Sequence, residues 1–101
     1  MIYLGIDGGG SKTKFLLIDE DLNELCRFQT GPSNWISVGK DAAEEAIREG
    51  ISRLILKPDV VCGGFAGSGR TEGTAFYKSV LSALLPLSTI IIESDAFAGP
   101  R

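Results

Sequence analysis

Leu4-Gly5-Ile6-Asp7-Gly8-Gly9-Gly10-Ser11-Lys12-Thr13-Lys14 is the stretch on which the fold turns. An apolar run ends in a carboxylate at Asp7, three glycines follow, and then two hydroxyls alternate with two ammonium groups. Successive glycines let the backbone take φ > 0 and approach a ligand closely, so that several N–H groups point into one concavity and hold an anion. Lys12 or Lys14 could add positive charge, and Ser11 or Thr13 a hydroxyl. A carboxylate beside phosphate oxygens is repelled unless a divalent cation or ordered water lies between them, so Asp7 in this position suggests a magnesium-nucleotide. The competing explanation is a plain glycine hairpin turn between two strands. A P-loop is excluded, because Ser11 and not Lys follows Gly10, and because Phe15-Leu16-Leu17-Ile18 reads as strand where that motif needs a helix.

Working outward, Ile2 to Asp7 and Lys14 to Asp19 read as strands joined through the glycine loop, and Glu20-Asp21-Leu22-Asn23 is a polar turn into a third strand, Glu24 to Thr30. Gly31-Pro32-Ser33-Asn34-Trp35 follows as a loop. Trp35 either caps the core or belongs to a site, and Asn34 either bonds its own backbone or faces a ligand. From Gly39 to Leu56, Ala43, Ala46, Ile47, Gly50, Ile51, Leu54 and Ile55 recur at helical spacing opposite a charged face. Gly50 costs that helix about 1 kcal/mol relative to Ala, which suggests close packing on the sheet. Val60 to Ala66 reads as a buried strand running into Gly67-Ser68-Gly69-Arg70-Thr71, and Thr71 is placed to cap a second helix bearing Phe76, Val80, Leu81, Leu84 and Leu85. Pro86 marks its end. Ser88 to Glu93 is a β-branched run that delivers Asp95 at its carboxyl end, where ligands of open α/β sheets bind. Asp95 is either a catalytic carboxylate or the N-cap of a following helix.

Gly5-Ile6-Asp7-Gly8-Gly9-Gly10-Ser11-Lys12-Thr13-Lys14-Phe15-Leu16-Leu17-Ile18-Asp19 resembles the first phosphate motif of the actin-like ATPase superfamily, which includes sugar kinases, actin and Hsp70 chaperones. Within it the match is closest to the N-acetylglucosamine kinase branch and the related BadF/BadG/BcrA/BcrD-type ATPases. The resemblance implies ATP and Mg²⁺ as cofactors, with Gly8, Gly9, Gly10, Ser11, Lys12 and Thr13 cradling phosphates and Asp7 holding hydrated Mg²⁺. It implies that Asn34 contacts the sugar, that Ser68 lies in a loop on the substrate side, and that Asp95 binds the sugar hydroxyl and accepts its proton. It also implies an α/β, ribonuclease-H-like fold: a mixed sheet of three antiparallel strands followed by helix, strand, helix, strand.

Composition narrows the classes. The 101 residues carry a net charge of −3 and are 44% hydrophobic, which suits one globular domain spanning 1–101. An acidic balance offers no basic footprint for nucleic acid, and no apolar run has the length of a membrane span, so neither is an expected partner and a cytoplasmic location is expected. Cys26 and Cys62 stand in no metal-ligand spacing and read as reduced thiols. With no His, a general base must be a carboxylate. By the resemblance, the chain is expected to be an amino-terminal half-domain, incomplete at its carboxyl end, whose partner is the remaining half of the same protein and which alone is inactive. A homodimer is left open.

Three functions compete at this stage. The first is an ATP-dependent kinase of an amino sugar such as N-acetylglucosamine. The second is a BadF-type activator of an acyl-CoA dehydratase or reductase, disfavoured because such activators carry an iron–sulfur Cys where this chain has Ser94-Asp95. The third is a non-catalytic actin-fold module, which has no need of Asn34 or Asp95.

Overall fold

The structure is a computed structural model, and it describes residues 1–66 and 71–93. Alternating apolar residues make β1 (Ile2–Gly8), β2 (Thr13–Asp19) and β3 (Glu24–Thr30) an antiparallel meander. After α1 (Trp35–Val38) and α2 (Lys40–Ser52), β4 (Val60–Phe65) enters parallel to β1. Then α3 (Thr71–Leu84) leads to β5 (Thr89–Glu93), parallel to β4. The sheet order is β3-β2-β1-β4-β5, so β1, with the glycine turn at its end, is central.

One face of the sheet and the apolar faces of α2 and α3 share a core of Leu4, Ile6, Phe15, Leu17, Ile47, Val61, Phe65, Tyr77, Leu81 and Leu85. Gly50 is where α2 comes closest. A Cβ there would sit 2.1 Å from Phe15 Cζ, so the close packing expected of this glycine is observed. On the other face Tyr3, Asp7, Lys14, Cys62 and Ile91 are exposed. That face forms a concavity of ≈ 880 Å³ whose lining includes Asp7, Lys12, Lys14, Leu16, Cys62 and Glu93. Among the described residues no helix is long and apolar enough to cross a membrane.

Two expectations need correction. The helix expected over Gly39 to Leu56 is α2, which begins after Gly39 (φ 89°) and stops at Ser52, leaving Ile55 and Leu56 exposed. The loop expected at Trp35 is the start of α1, because the Asn34 side chain accepts from the Ile36 N–H at 3.1 Å and caps that turn. The face expected of the second helix is observed, with Val80, Leu81 and Leu85 buried and Phe76 and Leu84 packed against the core, and Gly73 and Tyr77 are buried on it as well.

Candidate functional site

The hairpin register pairs Gly8 with Thr13 and leaves Gly9 to Lys12 as the turn, closed by the Gly9 N–H donating to the Lys12 carbonyl at 2.9 Å. Among the described residues the left-handed backbone positions are Leu22 and Gly39, so the positive φ expected of the three glycines does not occur. Gly8 is needed for a different reason. It faces the core, where a Cβ would lie 2.3 Å from Phe65 Cδ1 and 2.4 Å from Ser33 Oγ. Gly10 has open space around it, and Gly10, Ser11 and Lys12 are exposed. Their amides make no backbone hydrogen bond among the described residues, which leaves this arc free to face an anion.

Thr13 differs from its expected role. Its side chain is buried, its hydroxyl donates to the Gly31 carbonyl at 2.7 Å, and Ser33 Oγ lies 2.7 Å away. One hydroxyl has one proton, so the Ser33 hydroxyl donates to Thr13. The Thr13 side chain therefore ties the turn to the loop after β3 and is not offered to a ligand. Further ties are Ser33 N–H to Gly9 C=O at 3.2 Å and Ala66 N–H to Gly8 C=O at 2.8 Å. The glycine turn, the Ser33–Trp35 segment and the end of β4 are thus one assembly.

Asp7 stands on the open face, between Lys14 of β2 and Gly64 of β4. Glu93 pairs with Gly64, so it shares this face two strands away, roughly 9–10 Å from Asp7 at ordinary strand spacing. Sequence reasoning passed over Lys14's place beside Asp7, and over Glu93 altogether, because register decides both. Among the described residues no three Cys, Asp or Glu side chains converge as a ready-made metal cage. Mg²⁺ does not require one, since it commonly binds through one or two carboxylates plus substrate phosphates, and Asp7 beside the exposed turn suits that mode.

Asn34 is half-buried, and with its oxygen engaged in the cap, the carboxamide nitrogen is the end left for a ligand. Trp35 packs on Phe76 with centroids 6.4 Å apart and carries Lys40 Nζ 5.3 Å from its ring, so it has the core-capping role. Ser68 and Asp95 lie outside the described residues. Near the open face, the Arg27 guanidinium is held charged by Glu24 at 2.9 Å, which raises its already high pKa.

No family model matches the chain. It is 36% identical to an N-acetyl-D-glucosamine kinase of Dictyostelium discoideum over 97% of its own length. It is 34% identical over 92% of its length to an N-acetylmuramic acid/N-acetylglucosamine kinase of Clostridium acetobutylicum. It spans 35% and 33% of these two relatives. Among solved structures, a ROK family protein from Streptococcus pneumoniae in complex with sucrose superposes with a TM-score of 0.62 at 17% identity, covering 95% of this chain and 35% of that one, which speaks to fold alone. The expected ribonuclease-H-like, actin-like architecture is the one observed. Over nearly its whole length the chain is similar to curated N-acetylglucosamine kinases, of whose length it spans about a third.

Proposed function

We propose that the protein containing this chain transfers the γ-phosphoryl group of ATP to a hydroxyl of an amino sugar. The observation that carries this is the identity of 36% and 34% to two kinases named for N-acetylglucosamine, extending over nearly all of the chain. The open arc from Gly10 to Lys12 and the neighbouring Asp7 supply what phosphoryl transfer asks of a protein, namely positioning and charge stabilisation. On this reading the exposed amides of the turn and Lys12 bind phosphate oxygens, and Asp7 is the ligand of Mg²⁺, which when bound neutralises charge on the phosphates. Asn34 orients the sugar through its carboxamide nitrogen. Asp95 accepts the proton of the attacking hydroxyl as the new phosphate ester forms and ADP leaves.

The test is product analysis on the full-length protein, with ATP and Mg²⁺ and a panel of N-acetylglucosamine, N-acetylmuramic acid, glucosamine and glucose. Mass spectrometry is expected to find a phosphate ester of at least one amino sugar. Release of inorganic phosphate without any sugar phosphate would overturn the reading.

A further inference from the structure

Tyr77 is buried in α3 with its ring stacked on Phe65, centroids 4.0 Å apart at 7°. A phenylalanine would fill that space equally well, so the hydroxyl needs its own explanation. It accepts from the Trp35 N–H at 3.0 Å and donates to the Ser33 carbonyl at 2.5 Å, with the Ala66 carbonyl at 3.2 Å as a second acceptor. The two stronger partners bracket Asn34 on both sides. The same two loops hold the glycine turn, through Ser33 N–H to Gly9 C=O and Ala66 N–H to Gly8 C=O.

We propose that Tyr77 is a positioning residue for the phosphate acceptor: its hydroxyl fixes the Ser33–Trp35 segment, and with it the Asn34 carboxamide, against the phosphate-binding turn without touching either substrate. This rests on Asn34 being an acceptor contact, as in the proposed function. Tyr77 reaches both the Ser33–Trp35 segment and the end of β4 from the helix layer. A phenol on a rigid ring does so with only two rotatable bonds, and it serves as donor and acceptor at once. Because the connection runs through main-chain groups, substitutions of Ser33 or Trp35 leave it in place, and only the tyrosine can be removed.

Tyr77→Phe in the full-length protein keeps the stacked ring and removes the connection. Hydrogen exchange at the Trp35 amide is expected to accelerate by about tenfold or more, while the amides of β1 and β4 stay protected. The KM for the amino sugar is expected to rise about tenfold, with the KM for ATP changed by less than about twofold. Leu85→Ala, a core truncation just beyond the carboxyl end of α3, is the control for lost stability and is expected to leave the sugar KM unmoved. Unchanged exchange at Trp35, or an equal rise in sugar KM for Leu85→Ala, overturns the proposal. Faster exchange in Tyr77→Phe combined with a wild-type protein that phosphorylates no amino sugar upholds the loop-fixing role and sinks the acceptor reading alone.

Discussion

The Phe15 ring occupies the space in which a side chain at Gly50 would lie: Cζ, Cε1 and Cε2 would all fall within 2.1 to 2.6 Å of an added Cβ. Phe15 in turn stacks on Phe28 of β3 with centroids 5.1 Å apart, so it has little room to yield. Helix α2 therefore meets the sheet closely at this point.

Gly50→Ala therefore has a predicted sign opposite to that of helix propensity. In an exposed helix the change gains about 1 kcal/mol. Here the forced shift of an aromatic ring costs about 1–3 kcal/mol. The variant is expected to melt below wild type in a thermal denaturation experiment, and a higher Tm would show that the helix can lift without penalty.

Thr13→Val separates two roles for that residue. If the hydroxyl ties the turn to Gly31 and Ser33, its loss leaves a carbonyl and a hydroxyl short of a partner and costs about 1–3 kcal/mol of stability. Thr13→Ser, which keeps the hydroxyl, is expected to recover most of it. A Val variant with wild-type stability and a raised KM for ATP would instead place the hydroxyl on a phosphate.

Asp19 organises the turn between β2 and β3. Its Oδ1 accepts from the Asp21 and Asn23 N–H groups at 2.9 Å each, and its Oδ2 from Asn23 Nδ2 at 3.0 Å. Asn23 is the main cause that holds this carboxyl below the usual aspartate range. A carboxylate with a lowered folded pKa stabilises the fold above its unfolded pKa, and that contribution disappears as pH falls through the folded value. The residue is only partly covered, so the effect is local. An NMR titration is expected to place Asp19 below a model aspartate and to find it moved upward in Asn23→Ala; an unmoved value would show that the backbone donors alone suffice.

Much of this architecture is legible in the residues, because the apolar, β-branched and aromatic runs of Ile2–Gly8, Thr13–Asp19 and Glu24–Thr30 are separated by a glycine stretch and a polar turn, which reads as a meander of strands. What escapes is whatever depends on register or on a few local bonds. Glu93 joins the Asp7 face only through its pairing with Gly64. Tyr77 looks from its spacing like another apolar filler beside Phe76, and nothing in the helix pattern announces that its hydroxyl reaches Ser33 and Trp35. The four residues of α1 are too few to show a period, so the cap that Asn34 makes on this turn is not visible until the bond to Ile36 is seen. The glycines were legible as a close approach, but the approach at Gly8 is to Phe65 and Ser33 from within the core.

The central claim, phosphoryl transfer to an amino sugar with Asp95 as base, is tested most directly by sugar-dependent ADP release from the full-length protein and its Asp95→Asn variant, each accompanied by a thermal melt. The wild-type protein is expected to release ADP when N-acetylglucosamine or a related amino sugar is added. The variant is expected to lose about 10²–10⁴ in that rate, as for a missing base, while melting near wild type because Asn is itself a good N-cap. ADP release by the wild type that no amino sugar accelerates, or an Asp95→Asn variant that keeps full sugar-dependent activity, would contradict it.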